Sequence, residues 1–157
     1  MTEPKQPSEA NAGLTATKTY ANLNSRWTNG LGQIFVPVPG TKVLFCIWDT
    51  RVQDYRAYAN ANLGEVDGSW QTPYFHDLQV TPQATCPVVM VSWNDANAFC
   101  AWLTKQEQAS GLISQNQRYR LPTDFEWSVA VGLNESREES PAGKSMRIQG
   151  VYPWGTQ

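Results

Sequence analysis

Hydrophobic and polar residues alternate in short runs along this chain, and the first runs predict a β-hairpin. Residues 33–38 form an apolar run that a Pro-Gly turn closes, and residues 42–48 supply a second extended run. Upstream of them, residues 1–28 are rich in Pro, Ser, Thr, Asn and Ala and lack periodicity, which predicts a polar tail or linker. We therefore expect the domain to occupy residues 29–157.

Helical spacing of apolar residues predicts three helices, each with a capping pattern at its start. The three pairs of a capping residue and the residue three positions later are Thr50 with Gln53, Ser92 with Asp95, and Thr123 with Glu126. The second helix is predicted from Trp93 to about Gln108, with Gly111 as its stop signal. Its predicted faces are an apolar one with Trp93, Ala96, Phe99, Cys100 and Leu103, and a polar one with Asn94, Asp95, Lys105 and Glu107.

Three further segments have less regular patterns. Residues 64–87 form a long loop with four aromatic side chains, and these either pin the loop to the core, which is the more common case, or form part of a ligand surface. The aromatic residues are Trp70, Tyr74, Phe75 and His76. Residues 88–91 are apolar and predict a short buried strand. Residues 132–150 are charged and rich in small residues, which predicts a solvated surface excursion.

Composition excludes several kinds of site. A net charge of −2 gives no indication of a nucleic-acid partner or an anionic membrane. His76 is the only histidine, so this chain alone cannot hold a multi-histidine metal centre. Three cysteines without paired spacing, Cys46, Cys86 and Cys100, argue against a disulfide framework or a zinc site. Of these, Cys100 fits a small core residue better than a reactive thiol.

The sequence also gives an expectation for location. No apolar run approaches the length of a membrane span, and residues 1–12 lack the apolar core of a secretory signal. These two observations predict a cytoplasmic location.

Residues 119–127 change from an extended pattern to a helical one within a few positions. Apolar residues flank Arg120, and Pro122 then removes a backbone donor and disfavours helix at the residue before it. On these residues alone, the stretch is a strand-turn-helix junction. We expect Glu126 to satisfy backbone donors at the helix start and Arg120 to hold a neighbouring loop, so that both are structural.

Three sequence blocks follow one another in a fixed order. They are Pro87 to Leu103 with its Val-Ser-Trp, Arg120 to Ala130 with Arg-Leu-Pro-Thr and Glu-Trp, and Tyr152 to Gly155, which reads Tyr-Pro-Trp-Gly. Together they resemble the formylglycine-generating enzymes, or sulfatase-modifying factors. The resemblance implies an irregular α+β fold related to the C-type lectins. The structural motif residues that it marks are Thr50, Ser92, Trp93, Arg120, Pro122, Thr123, Glu126, Trp127, Trp154 and Gly155.

The resemblance leaves two function classes open. In the first, the chain is part of a copper-dependent oxidoreductase that uses oxygen to convert a cysteine of a client sulfatase to formylglycine. In the second, it is a non-catalytic, lectin-like binding module, of the kind attached to kinases or signalling proteins in bacteria. If the full-length protein has two cysteines in the family's C-terminal blocks, the first class is favoured.

No residue of this chain matches the family's copper-binding cysteine pair, which lies in C-terminal blocks that do not occur here. The resemblance therefore implies no catalytic residue, no metal ligand and no activity for this chain by itself. The expected partner is a protein or peptide client, or the C-terminal half of the domain. We also expect an exposed apolar face where that half would pack, involving Trp93, Trp127 and Trp154. The alternative is a compact variant in which residues 132–150 fold back as a lid.

Overall fold

A small antiparallel sheet forms the first part of the fold. We analysed a computed structural model that describes residues 20–80, 83–133, 135, 139–147, 151–152 and 155–156. Strands β1 (Trp27–Thr28), β2 (Ile34–Pro37) and β3 (Leu44–Cys46) pair in the order β1-β2-β3, which confirms the predicted hairpin. Because β1 already pairs with β2, sheet formation begins at the last residues of the predicted tail. The tail boundary itself stays a prediction.

Helices supply most of the remaining structure. The other elements are α1 (Val52–Ala61), a short 3-10 helix (Ser69–Gln71), β4 (Tyr74–Phe75), β5 (Leu78–Gln79), α2 (Trp93–Ser110), α3 (Asp124–Ala130), α4 (Pro141–Arg147), β6 (Val151–Tyr152) and β7 (Gly155–Thr156). Strands β4 and β5 form one short hairpin, and β6 and β7 form another. The α+β class expected from the sequence is confirmed. Among the described residues, no helix is both long and apolar enough to cross a bilayer.

The core lies between α1 and α2 and is largely aromatic. Tyr55 of α1 stacks on Phe99 of α2 at 5.9 Å between ring centroids, and the edge of Trp70 meets Tyr55 at 5.4 Å. Such ring pairs contribute beyond the apolar area that they bury. The cluster consists of Val52, Tyr55, Tyr58, Ala59, Trp70, Phe99 and Leu103. Trp70 therefore pins its loop to the core, as the more common interpretation expects, whereas Tyr74 of the same loop is exposed.

Helix α1 corrects one of the predicted caps. Its N-cap residue is Arg51, not Thr50. The carboxylate of Asp54 accepts hydrogen bonds from the Arg51 backbone amide at 3.1 Å and from its guanidinium at 2.9 Å. Asp54 is only 1% exposed, whereas Gln53 is exposed. A buried carboxylate must be paired with an opposite charge. Asp54 is paired with Arg51, and the cap therefore lies one residue later than predicted.

The predicted strand over residues 88–91 is wrong. An isolated bridge joins Arg51 to Pro87, and the Val88 amide donates to the carbonyl of Thr50 at 2.9 Å. The extended pairing stops there because Met90 has a φ of 59°, in the left-handed region. Val89 and Met90 are consequently exposed instead of buried.

Helix α2 agrees with its predicted start and stop but not with all of its predicted faces. Ser92 accepts a hydrogen bond from the Asp95 amide, and Gly111 closes the helix with a φ of 69°. Trp93 is 71% exposed although it was assigned to the apolar face. Glu107 was assigned to the polar face and is only 3% exposed. The latter burial is possible because Glu107 receives hydrogen bonds from outside its own helix, as described below.

The charged segment 132–150 is more structured than predicted. It contains α4, and Lys144 of this helix is only 3% exposed. Lys144 forms an ion pair with Asp124 of α3 and lies 3.7 Å from the carboxylate of Glu135. These contacts bury charged side chains that a solvated surface excursion would leave in water.

Glu107 gives the first testable prediction. Replacing it in Glu107→Ala removes the acceptor of two buried or half-buried donors, and each unsatisfied buried group costs about 1–3 kcal/mol. We therefore expect the free energy of unfolding to fall by roughly 2–6 kcal/mol. Urea denaturation followed by tryptophan fluorescence measures it.

Glu65→Ala is the matched control, because Glu65 is an exposed glutamate. Surface changes of this kind stay within about 0.5 kcal/mol. Equal losses in the two variants would contradict the structural role of Glu107.

Candidate functional site

The junction between residues 119 and 127 is held by a complete capping box. The Thr123 hydroxyl accepts a hydrogen bond from the Glu126 amide at 3.2 Å, and the Glu126 carboxylate accepts one from the Thr123 amide at 2.8 Å. Two donors at the start of α3 are thereby satisfied by neighbouring side chains. The helix start predicted after Thr123 is confirmed.

A bidentate ion pair joins the residues on the two sides of Pro122. The Arg120 guanidinium donates to the two carboxylate oxygens of Glu126 at 2.7 and 2.6 Å, and also to the Leu121 carbonyl at 3.0 Å. The hydrogen bonds from Arg120 lower the pKa of Glu126 to about 2, although partial burial opposes this shift. Arg120 thus holds the helix start itself and not a neighbouring loop, which corrects the expectation for its partner.

Behind the junction, a buried hydrogen-bond network surrounds Glu107. Its carboxylate accepts from the Gly30 amide at 2.7 Å and from the Tyr119 hydroxyl at 2.5 Å. Trp27 of β1 contacts the same hydroxyl through its indole nitrogen at 3.4 Å. Burial, together with the Glu107 carboxylate, raises the pKa of Tyr119 well above its usual range. The network therefore joins the sheet, α2 and the junction through polar side chains.

Sequence reasoning missed Glu107, although a signal was present. Glu107 follows Leu103 by four positions and Phe99 by eight, so helical spacing puts it on the buried face. An acidic residue on an apolar stripe predicts a buried acceptor with donors from elsewhere in the fold.

A groove lies between α2 and residues 118–120. Its volume is about 660 Å³. Residues that line it include Cys100, Thr104 and Lys105 from α2, and Arg118 and Arg120 from the facing segment. The lining includes no aspartate or glutamate.

The three cysteines do not fit a copper site. All three are free, and burial raises the pKa of both Cys46 and Cys100. Metals bind the thiolate and not the thiol, so burial disfavours ligation by these two side chains. Within the part of the chain that the structure describes, no group of three or more His, Cys, Asp or Glu side chains gathers to hold a metal ion.

The remaining motif residues that the structure describes lie outside the groove lining. Ser92 caps α2, and its amide donates to the Asp95 carboxylate at 2.8 Å. Trp127 is 52% exposed, so it and Trp93 are both uncovered, as expected for an open apolar face. Gly155 pairs with Tyr152 in the β6–β7 hairpin. Trp154 lies outside the described residues, and its predicted exposure stays a prediction.

The order of the motif blocks agrees with a comparison against known families. The sequence profile of the sulfatase-modifying factor enzyme 1-like domain matches residues 33–157. This chain belongs to the sulfatase-modifying factor family. The match includes strands β2 and β3 of the sheet, all four α-helices described above and the Arg120–Glu126 junction, whereas β1 lies before it. The motif residues of this chain can therefore be compared with those of the family.

Curated relatives include active and inactive members of the family. A formylglycine-generating enzyme of Thermomonospora curvata is 32% identical over 90 residues, which cover 56% of this chain and 20% of that protein. An inactive C-alpha-formylglycine-generating enzyme 2 of Bos taurus is 34% identical over 88 residues, covering 56% of this chain and 21% of that protein. A formylglycine-generating enzyme of Mus musculus is 29% identical over 84 residues, covering 54% of this chain and 19% of that protein.

The matches thus span about a fifth of the length of these curated relatives. No solved structure matches this chain. Identity to the active and the inactive relative is nearly the same, so identity alone does not separate the two.

The Arg120–Glu126 pair gives a prediction about pH. The pKa of Glu126 is lowered to about 2 in the folded protein, from an ordinary value of 4.5. A lowered pKa stabilises the fold above the ordinary value, and this stabilisation is lost as the pH falls towards 2. We expect Glu126→Gln, which keeps an amide for capping, to be less stable than the parent protein by ~1–2 kcal/mol at pH 7.

Urea denaturation at pH 7 and at pH 3 measures this difference, with Glu65→Gln as the exposed control. We expect the gap between Glu126→Gln and the parent protein to become smaller at pH 3. A gap of the same size at both pH values would show that the carboxylate charge does not stabilise the junction.

Proposed function

We propose that this chain is the scaffold part of a formylglycine-generating enzyme, whose complete form oxidises a cysteine of a client sulfatase to formylglycine. The observation that carries this proposal is the family match over residues 33–157, with the motif blocks in family order. In this proposal the client sulfatase is the protein partner. Copper belongs to the complete protein and is held by cysteines outside this chain.

The geometry of the motif block supports a positioning role for it. Arg120 and Glu126 satisfy each other and the start of α3, and Tyr119 is fixed by Glu107. These contacts hold the backbone of the junction in place, and no residue of this chain matches the family's copper-binding cysteine pair. In this proposal, residues outside this chain carry out the oxidation. This chain holds the segments that bear those residues in position.

The sequence also suggests a more detailed description of the fold. A C-type-lectin-like arrangement would agree with the α+β class and with the short paired strands. The cytoplasmic location and a bacterial source are further expectations from the sequence, and they stay predictions.

A segment exchange with an active relative tests the proposal. In the Thermomonospora curvata enzyme, the segment that aligns with this chain is replaced by the matching 90 residues of this chain. The chimera and this chain alone are incubated with copper, oxygen and a Cys-x-Pro-x-Arg peptide, and mass spectrometry measures formylglycine. We expect conversion by the chimera, and no conversion above a no-protein control by this chain alone.

Two outcomes would contradict the proposal. One is a chimera that melts cooperatively at the temperature of its parent and yet forms no formylglycine. The other is conversion by this chain alone, which would require catalytic groups within it. The unmodified relative is the positive control, and a chimera with Glu126→Ala tests whether the junction supports activity.

A further inference from the structure

The groove between α2 and residues 118–120 differs in charge from the rest of the protein. The chain as a whole has a net charge of −2. The groove is lined by Lys105, Arg118 and Arg120, and the lining includes no acidic residue. A concave surface of one sign raises the local concentration of ligands of the opposite sign. The charge of this groove therefore favours an anionic ligand.

Two of the three cations are available to such a ligand. Arg120 is already paired with Glu126. Lys105 and Arg118 are exposed, and neither forms an ion pair with any other described residue. An exposed arginine without a carboxylate partner keeps its planar set of donors for bidentate binding of a carboxylate.

The segment that carries the two arginines is held in a fixed position. The Tyr119 amide donates to the Thr104 hydroxyl of α2 at 2.9 Å, and Gln108 of α2 donates to the Gln117 carbonyl at 2.9 Å. The Tyr119 hydroxyl is directed inward to Glu107. Exposure alternates along the segment, because Arg118 and Arg120 are exposed while Tyr119 is half buried. Arg118 is therefore exposed on a segment whose position is fixed by hydrogen bonds to α2.

The two available cations lie on opposite sides of the groove, Lys105 on α2 and Arg118 on the facing segment. We propose that the groove binds an acidic peptide segment of another protein. In this complex one carboxylate of the peptide faces Arg118 and a second carboxylate faces Lys105.

Two separate carboxylates on one peptide match the two available cations, which lie on opposite sides of the groove. A phosphopeptide and an RNA oligonucleotide are other anionic ligands, and the binding experiment compares them with the aspartate peptide.

This inference goes beyond the proposed function and does not rest on it. Binding of an acidic segment needs neither copper nor a catalytic cysteine, and its test measures no oxidation. Failure of the formylglycine experiment and failure of the peptide experiment are therefore distinguishable.

Fluorescence anisotropy with the 157-residue chain tests the inference. The probe is a labelled ten-residue peptide with aspartate at alternate positions and serine between them. Matched peptides contain asparagine in place of aspartate, or the same aspartates in one continuous block. We expect both aspartate peptides to bind, and the asparagine peptide not to bind at 150 mM salt.

Two double variants with the same charge change locate the binding. Lys105→Gln with Arg118→Gln alters the groove, whereas Lys42→Gln with Arg56→Gln removes two exposed cations outside its lining. We expect the groove variant to bind the alternating peptide roughly fivefold to tenfold more weakly. We expect the control variant to bind it as the parent protein does. Circular dichroism melts establish that both variants are folded.

Several results would overturn the inference. Equal weakening in the two double variants would show that attraction depends on overall charge and not on the groove. Equal binding of the asparagine peptide would show that carboxylates are not recognised. Binding of a phosphoserine peptide or an RNA oligonucleotide in preference to the aspartate peptide would assign the groove to a different class of ligand.

Discussion

The fold depends on how the carboxylate of Glu107 is satisfied inside the protein. This side chain is 3% exposed and has no cation beside it among the described residues. Two hydrogen bonds compensate its burial, from the Gly30 amide and the Tyr119 hydroxyl. Gly30 belongs to the turn between β1 and β2, and Tyr119 lies at the start of the motif junction. One buried acceptor therefore fixes the positions of three parts of the chain that are far apart in sequence.

The motif junction and the groove follow from this constraint. Because Tyr119 is directed inward, the neighbouring arginines are directed outward, where Arg120 pairs with Glu126 and Arg118 remains available. Glu126 in turn completes the cap of α3. The same helix begins with Asp124, whose ion pair with Lys144 connects α3 to α4. The block from Arg120 to Trp127 thus has a physical explanation, because an ion pair and a capping box together hold the start of α3.

Local features of this fold could be predicted from the sequence, whereas features that depend on distant partners could not. The caps at Ser92 and Thr123 involve residues three positions apart, and both are present. The cap expected at Thr50 lies at Arg51, because Asp54 is buried against partners that include Gln33, 21 positions earlier. Glu107 depends on Gly30, 77 positions earlier, and the buried Lys144 depends on Asp124. The groove likewise requires α2 and residues 118–120 to lie side by side, which no spacing in the sequence shows.

A double-mutant cycle between Glu107 and Tyr119 tests the central claim most directly. The variants are Glu107→Gln, Tyr119→Phe and the pair together, and urea denaturation gives the free energy of unfolding of each. If the buried acceptor couples α2 to the motif junction, the two changes are not additive, and the coupling energy is about 1–3 kcal/mol. Additivity within about 0.3–0.5 kcal/mol would contradict the account, because it would show that Glu107 and Tyr119 stabilise the fold independently.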